Sequence, residues 1–304
     1  MKVLLTGASG TIGRPLTAAL AAAGYAVRAA VRDRRAQPFP SGVETVRLPD
    51  LAGPIDWPPL LGGIDAVVHL AGVAHTGLAE GAYDHVNHVA TAALARAAAT
   101  AGIRRLVFVS SIRAQGGTHA DRPLRESDPA RPTEAYGRSK LAAEQAVRAA
   151  GVPFTILRPV LVYAPGAKGN LASLIRLAGM PLPLPFGRLA NRRSLLSVDN
   201  LIAAIRFALE DPRAANETFI VSDPEAVSVA EIITICRRAR GRGPALLPVP
   251  PNLFATLFGL IGQGEQWDRL AGTLEAPPAK LTAAGWRPVT DTQAGLSALV
   301  SRTV

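Results

Sequence analysis

Short apolar runs and alanine-rich stretches alternate along the first half of the chain. The apolar runs, rich in valine, isoleucine and leucine, predict strands at residues 3–5, 27–31, 43–48, 66–70, 106–109 and 154–157. The intervening stretches predict helices over residues 11–23, 83–101 and 136–150. Strands that alternate with helices of this length form βαβ units, whose parallel sheet is covered on both faces. Because the crossovers are right-handed, the pattern predicts an α/β fold with a doubly wound parallel sheet.

After residue 158 the pattern changes. Proline and glycine become frequent at 164–166 and 180–185, and the strict alternation of strand and helix stops. Apolar periodicity still predicts helices near residues 170–178, 199–210, 228–240 and 279–284. We therefore expect a Rossmann domain over residues 1–165 and a smaller, mainly helical substrate-binding portion over residues 166–304. The boundary is expected to be interleaved, with later segments returning to the first domain.

The composition is that of a globular protein. The 304 residues are 48% hydrophobic and 18% charged, with a formal net charge of +10. A nucleic-acid footprint would be a continuous basic face with interleaved aromatic residues. Here the arginines are scattered over predicted helices, strands and loops, so we expect no nucleic-acid partner.

Cysteine usage and the chain termini indicate a reducing compartment. Cys236 is the single cysteine and lies in an apolar run, where it is expected to be a buried helix residue rather than a nucleophile. His and Cys residues show no metal-ligand spacing, so no metal is expected. The N-terminus opens directly into a strand without a signal segment. The apolar run at residues 253–261 is too short to cross a bilayer, and a soluble, cytoplasmic protein without a membrane partner is expected.

A glycine-rich segment follows the first strand directly. Residues 6–13 read Thr-Gly-Ala-Ser-Gly-Thr-Ile-Gly and open the first predicted helix. In that context Gly7 permits a tight turn, Gly10 lets the backbone approach a pyrophosphate, and Gly13 lets the helix pack close to the strand. Free backbone N–H groups at the helix N-terminus then face the phosphates. The segment predicts a dinucleotide site.

The choice between NAD and NADP depends on the end of the second strand. An acidic residue there receives the ribose 2′-hydroxyl of NAD, whereas an arginine accommodates the 2′-phosphate of NADP. This chain has Val31 and Arg32 at that position and Asp33 only afterwards. The residues therefore favour NADP, while NAD stays open. Asp50, after the third strand, is placed to reach the adenine.

Tyr136 and Lys140 are four residues apart on a predicted helix and so share one face. A phenol titrates near pH 10 and is a poor base at neutral pH, but a neighbouring ammonium favours its ionised form. Lysine also reaches ribose hydroxyls, which would connect cofactor binding with proton transfer. Together with the glycine-rich segment, this pair predicts hydride chemistry on an alcohol or a ketone.

Several motifs in order along the chain resemble the extended short-chain dehydrogenases/reductases, specifically the NAD(P)-dependent epimerase/dehydratase family, which acts largely on nucleotide sugars. The motifs that carry the resemblance are residues 6–13, 69–72, Asn87, 107–111, 136–140, 157–166 and 193–199. The resemblance covers most of the chain.

The resemblance also implies roles for individual residues. The implied catalytic residues are Ser111, Tyr136 and Lys140, and Ser111, Asn170 and Arg193 are implied to bind substrate, the last two at a diphosphate. The residues expected to bind the cofactor are Gly7, Ser9, Gly10, Thr11, Ile12, Gly13, Arg32, Asp50, Leu51, Leu70, Ala71, Gly72, Asn87, Tyr136, Lys140 and Pro159.

One departure narrows the expected reaction. Family members that eliminate water carry acidic residues directly after the catalytic hydroxyl, where this chain has Ile112 and Arg113. Dehydration is therefore disfavoured, and epimerisation of a nucleotide sugar, such as a UDP-hexose at C4, is expected through a transient keto intermediate. The alternatives are an NADPH-dependent reductase of a keto-sugar or other ketone, and a non-catalytic scaffold that binds the cofactor. A homodimer is expected, formed by the alanine-rich helices at residues 90–101 and 141–150.

Overall fold

A seven-stranded parallel sheet forms the centre of the molecule. The computed structural model describes residues 1–33, 39–74, 79–166, 169–260, 262 and 264–302. The strands within these residues are β1 (Lys2–Thr6), β2 (Ala26–Val31), β3 (Glu44–Arg47), β4 (Ala66–His69), β5 (Arg105–Val109), β6 (Phe154–Pro159), β7 (Leu161–Tyr163), β8 (Leu195–Ser197) and β9 (Glu217–Val221). The sheet order is β3-β2-β1-β4-β5-β6-β9, so β1 lies in the interior and the order reverses between β1 and β4.

Helices cover both faces of this sheet. The described helices are α1 (Gly13–Ala22), α2 (Pro58–Leu61), α3 (Glu80–Tyr83), α4 (Ala90–Thr100), α5 (Ala135–Ala149), α6 (Asn170–Ala178), α7 (Val198–Glu210), α8 (Val229–Arg238), α9 (Pro251–Leu260), α10 (Gly264–Ala271), α11 (Ala279–Ala283) and α12 (Thr292–Ser301). Leu16 of α1 and Leu201 of α7 belong to the core on one face, while Leu94 of α4 and Val147 of α5 belong to the core on the other. The doubly wound α/β fold predicted from the alternating pattern is confirmed.

The helix predicted over residues 83–101 is divided. It begins three residues earlier than predicted, with α3, continues as a π-helical turn over residues 84–89, and ends as α4. The widened turn carries Asn87, which is buried and bonded to residues outside the helix. Single π-helical turns interrupt α-helices at sites where a side chain has a special task. Periodicity averages over such a turn and does not reveal it.

The second part of the chain is only partly a separate layer. β7 and β8 form a small parallel sheet, whereas β9 returns to the central sheet beside β6. Helices α6, α8 and α12 enclose a further core that includes Ile175, Ile233 and Leu296. The sequence pattern missed β7, β8 and β9, because runs of three to five residues among loops resemble other apolar segments. The division at residue 165 stays a prediction.

Three smaller observations bear on the sequence expectations. Cys236 lies on α8 and is fully buried. Within the described ranges, no three His, Cys, Asp or Glu side chains are grouped to hold a metal ion. Among these same residues, no helix is long and apolar enough to cross a membrane.

Candidate active site

A cavity of about 1190 Å³ opens at the carboxyl edge of the central sheet. Its walls are the turn after β1, the ends of β4, β5 and β6, the start of α5, and helix α6. Ligands of open α/β sheets bind outside the carboxyl ends of the strands, at the point where the strand order reverses. The position of the cavity follows from the topology alone.

Two glycines of the glycine-rich turn lie so close to other backbone atoms that a side chain would not fit there. Gly7 has φ +73°, and a Cβ there would lie 2.9 Å from the backbone nitrogen of Ala71. A Cβ on Gly13 would lie only 2.0 Å from the carbonyl oxygen of Gly7. Helix α1 begins at this turn without a side-chain cap. An uncapped helix N-terminus behind a turn stripped of side chains fits a dinucleotide pyrophosphate.

A chain of hydrogen bonds runs from Thr91 through His69 and Thr6 to the backbone of Ala71, beside the glycine-rich turn. The Thr91 hydroxyl donates to the carbonyl oxygen of Asn87, so its oxygen is left to accept from Nε2 of His69, 2.9 Å away. Burial, with the Lys140 charge second, lowers the pKa of His69 to about 3, so the ring is neutral and its Nδ1 accepts from the Thr6 hydroxyl at 2.7 Å. Thr6 Oγ1 in turn accepts from the backbone N–H of Ala71. The chain therefore fixes the tautomer of His69 and ties β1 to the loop after β4.

Asn87 fixes the same loop from its other side. Its amide oxygen accepts from the backbone N–H of Val73, and its amide nitrogen donates to the Val73 carbonyl, both at 2.9 Å. The same nitrogen donates to the hydroxyl of Ser139 on α5. A Cβ on Gly72 would approach Asn87 Oδ1 to 2.8 Å and Lys140 Nζ to 3.6 Å. Asn87 therefore joins the loop after β4 to the helix that carries Lys140.

Lys140 is buried beneath the cavity floor. Its Nζ donates to the carbonyl oxygen of Val109 at 3.1 Å and lies 4.8 Å from the ring centroid of Phe108. Burial lowers its pKa to about 8, and the carboxylate of Glu144 opposes part of that shift. A lysine with such a pKa gains and loses a proton near neutral pH, which suits a proton relay.

Tyr136 lies at the start of α5, within hydrogen-bonding range of Ser111. Burial raises the pKa of the Tyr136 phenol; the Ser111 hydrogen bond and the positive charge of Arg113 act in the opposite direction. We had expected the Lys140 ammonium to supply this opposing charge. In the structure the arginine two residues after Ser111 supplies it, and the lysine is bonded to the backbone of β5.

Close packing holds α5 in this position. A Cβ on Gly137 would lie 2.3 Å from the carbonyl oxygen of Arg113, so the helix contacts that segment backbone to backbone. Further along α5, the buried carboxylate of Glu144 pairs with Arg158 of β6 and accepts from the Ser110 hydroxyl at 2.6 Å. A buried ion pair that loses one partner leaves an uncompensated charge, so this pair fixes the orientation of α5 on the sheet.

The charged residues on the described wall of the cavity are all cationic, with no Asp or Glu among them: Arg113, Lys140, Arg176, Arg193 and Arg240. Arg193 is half-buried, and its Nη1 donates to the carbonyl oxygen of Gly272 at 2.8 Å. Burial, followed by repulsion from Arg113, lowers its pKa. The far side of the cavity is therefore suited to a second anionic group, in addition to a dinucleotide pyrophosphate.

Most of the predicted site residues line the cavity. Those on the cavity are Gly7, Gly10, Thr11, Ile12, Gly13, Leu70, Gly72, Ser111, Tyr136, Lys140, Pro159, Asn170 and Arg193. Those off its wall are Ser9, Arg32, Asp50, Leu51, Ala71 and Asn87. Arg32 and Asp50 are exposed, Leu51 is in the core, and Ala71 and Asn87 act on the loop as described above. Sequence reasoning gave no role to Thr6, His69 or Arg113, although all three stand inside or beside the motifs that it used.

The model of the family described as "NAD dependent epimerase/dehydratase family" matches residues 3–222. The chain belongs to this family. The resemblance drawn from the ordered motifs is thereby confirmed, and the family is described as NAD dependent.

Individual relatives include both epimerases and reductases. The UDP-glucose 4-epimerase of Vibrio cholerae is 35% identical over 306 residues, covering 96% of this chain and 92% of the relative. The ceramide reductase of Caulobacter vibrioides is 29% identical, covering 89% and 80%. The solved structure of MoeE5 in complex with UDP-glucose and NAD is 26% identical, with a TM-score of 0.75 over 99% of this chain and 98% of that one.

Proposed function

We propose that this protein is an NAD(P)-dependent epimerase of nucleotide sugars, acting on a UDP-hexose at C4. The observation that carries the proposal is the single cavity in which Ser111, Tyr136 and Lys140 lie between the glycine-rich turn and Arg193. Such a cavity accommodates two anionic ligands with a proton-transfer group between them. The similarity to the Vibrio cholerae UDP-glucose 4-epimerase along nearly the whole chain supports the same reaction.

Each residue then has a chemical role. The glycine-rich turn binds the dinucleotide pyrophosphate, and Lys140 holds its nicotinamide ribose. When bound, the cofactor supplies the acceptor and donor of hydride. Tyr136 takes the proton from the sugar hydroxyl and later returns it, while Ser111 donates a hydrogen bond to the reacting oxygen. Asn170 and Arg193 hold the diphosphate, which lets the sugar turn over between the two half-reactions.

A reductase that uses NADPH is the second candidate. Arg32 at the end of β2 is exposed and suits a 2′-phosphate, and the ceramide reductase relative supports a one-way reduction of a ketone. In that reaction Tyr136 would donate a proton once. Arg32→Ala should then weaken NADPH binding about tenfold and leave NADH binding unchanged. Equal losses for both would show that Arg32 does not contact the phosphate.

The cofactor content of the purified protein separates the two candidates. Acid release followed by mass analysis should give NAD or NADH at close to one equivalent, because an epimerase retains its cofactor through the cycle. Such a protein should interconvert UDP-glucose and UDP-galactose without added cofactor. An empty protein that binds NADPH more tightly than NADH and leaves UDP-sugars unchanged would instead support the reductase.

Arg193 provides a test of the nucleotide-sugar substrate. Arg193→Gln should raise the KM for a UDP-sugar about 10- to 100-fold, because a charge-assisted hydrogen bond to phosphate is lost. The matched control is Arg192→Gln, since Arg192 is its exposed neighbour and pairs with Glu231. A KM that responds equally to both changes would contradict a diphosphate site at Arg193.

Helices α4 and α5 suggest how two copies of the chain would associate. Helices α4 and α5 pack side by side and are rich in alanine, so their outer faces would allow the close approach of a second copy. We infer a homodimer, which light scattering would test. A cytoplasmic location is retained from the cysteine usage described above.

A further inference from the structure

We propose that the apolar patch formed by Met180, Leu182, Leu247, Leu253 and Leu260 binds the surface of an anionic lipid bilayer. The five side chains are 44%, 58%, 48%, 60% and 81% exposed. They lie on α9 and on the two loops at residues 179–188 and 241–250. None of the five side chains is on the described wall of the cavity, so the proposal does not depend on the reaction.

Helix α9 is the centre of the patch. Its ten residues include no charged side chain. One face is held by Phe254, whose ring stacks on Phe186 at 5.8 Å and on Trp267 at 5.5 Å. Leu253 and Leu260 are left exposed, as are most described positions of the helix. Among the described side chains of this helix, the Phe254 ring packs on the domain while Leu253 and Leu260 are exposed, and these leucines form an apolar surface.

Backbone hydrogen bonds join the two loops into the same surface. The backbone N–H of Leu184 donates to the carbonyl oxygen of Ala245 at 3.0 Å, and the backbone N–H of Leu247 donates to the carbonyl oxygen of Leu184 at 2.8 Å. Gly187 donates to Leu247 at 2.9 Å, next to Phe186. The loop that carries Met180 and Leu182 is therefore tied to the segment that leads into α9, and the exposed side chains form one region.

The charge around the patch determines which partner fits. Residues 166–198 and 232–264 contain no aspartate or glutamate. Arg188, Arg238 and Arg242 are exposed at the border of the patch, and the whole chain has a net charge of +10. Exposed apolar side chains with arginines beside them match a bilayer, where leucine enters the headgroup boundary and arginine meets lipid phosphate. Two copies of this surface facing each other would instead bring these arginines together.

The mode of binding is peripheral. A helix of ten residues covers about half of the hydrocarbon core, so α9 would lie in the plane of the interface. The sequence led us to expect no membrane partner, because the apolar run at residues 253–261 is too short to span. That reasoning excludes a spanning segment and leaves an interfacial one open.

Vesicle flotation of the full-length protein tests the proposal. We expect it to float with phosphatidylcholine vesicles that contain 30 mol% phosphatidylglycerol, and to float at least tenfold less with pure phosphatidylcholine. Leu253→Ser combined with Leu260→Ser should reduce binding more than tenfold. The control is Val289→Ser, at a position 66% exposed and outside the patch, and it should bind as the unaltered protein does.

The arginines are tested separately. Each basic residue near an anionic surface strengthens binding about fivefold. Arg188→Gln with Arg238→Gln should therefore weaken binding about 25-fold, whereas the exposed pair Arg96→Gln with Arg131→Gln should change it little. Cofactor binding and thermal unfolding should be unchanged in every variant, which establishes that each is folded.

Three results would overturn the proposal. The first is an unaltered protein that stays unbound to anionic vesicles. The second is equal loss of binding in the patch variants and their controls. The third is a patch that joins two copies, in which case Leu253→Ser with Leu260→Ser would halve the mass measured by light scattering and leave vesicle binding unchanged.

Discussion

The two ends of the cavity are built in different ways. At the cofactor end, residues 7–13 form one continuous turn. The surface that this turn presents to a ligand consists of backbone atoms. At the substrate end, Ser111 and Arg113 follow β5 while Arg193 precedes β8, and the surface that they form is made of side chains. Phosphates bound by backbone N–H groups depend on the shape of the chain, whereas a sugar or ketone is read by individual functional groups.

That difference has an energetic consequence. The cofactor end tolerates no added volume, because Gly7 and Gly13 already contact backbone atoms. The substrate end is formed by side chains, among them Arg113 and Arg193, rather than by a tightly packed turn of backbone. We therefore expect substitutions at the cofactor end to affect folding and cofactor binding together, and those at the substrate end to affect turnover of a folded protein.

The largest effect is expected at the boundary between the two ends. Tyr136→Phe should lower kcat about 10³-fold, because the proton-transfer group is lost, and should leave cofactor affinity unchanged. Steady-state rates and fluorescence titration would measure the two effects. Tyr163→Phe is the matched control, since Tyr163 also lines the cavity but bonds to Asp223. Full activity of the Tyr136→Phe variant would show that Tyr136 is not the proton-transfer group.

Gly13→Ala tests whether the cofactor end of the cavity can accommodate an added methyl group. The new Cβ would lie 2.0 Å from the carbonyl oxygen of Gly7, so α1 must move away from the turn. We expect a loss of about 3 kcal/mol in the free energy of unfolding, measured with urea, and at least tenfold weaker cofactor binding. Gly81→Ala on α3, where a Cβ meets nothing within 4 Å, should cost nothing. Equal stability of the two variants would contradict the close approach seen at Gly13.

Acidification should weaken the cofactor end through His69. The pKa of His69 is about 3 in the folded protein, against 6.5 for an unperturbed histidine, so the unfolded chain binds the additional proton. The free energy of unfolding should therefore fall by about 1.4 kcal/mol per pH unit as the pH drops below 6.5. His69→Gln should lose this part of the pH dependence, measured by urea unfolding at pH 7 and 5.5, whereas the exposed His119→Gln should keep it.

The smallest effect on the rate is expected from substitution of Arg113. It is best measured as a change in the pH dependence of kcat/KM. Its positive charge lowers the pKa of Tyr136, so Arg113→Met should raise that pKa and shift the acid limb of kcat/KM for alcohol oxidation towards higher pH. The rate at pH 7 should fall a few-fold. Arg113→Lys should restore the profile, and Glu134→Gln, which removes the partner of Arg113, should shift the limb the other way. A profile that none of these changes moves would show that Arg113 does not influence the phenol.

The regular part of the fold could be predicted because its signals are local. Each of the six predicted strands is a short apolar run, and each pairs in parallel with another strand of the central sheet, as the doubly wound fold requires. The π-helical turn at residues 84–89 was not predicted, and its Asn87 bonds to Val73, which lies on a different loop that local periodicity does not take into account. β9 could not be assigned to the central sheet from a five-residue run, because its partner β6 is about sixty residues earlier.

The sequence by itself determined the doubly wound sheet, the glycine-rich turn and the helical spacing of Tyr136 and Lys140, since these depend on residues a few positions apart. Only the tertiary structure decided that Arg113 faces Tyr136, that His69 is held neutral between Thr6 and Thr91, and that the apolar patch is left uncovered. These features depend on burial and on charges brought together from distant segments. Desolvation and Coulomb interactions act through space, and the order of residues along the chain does not record those distances.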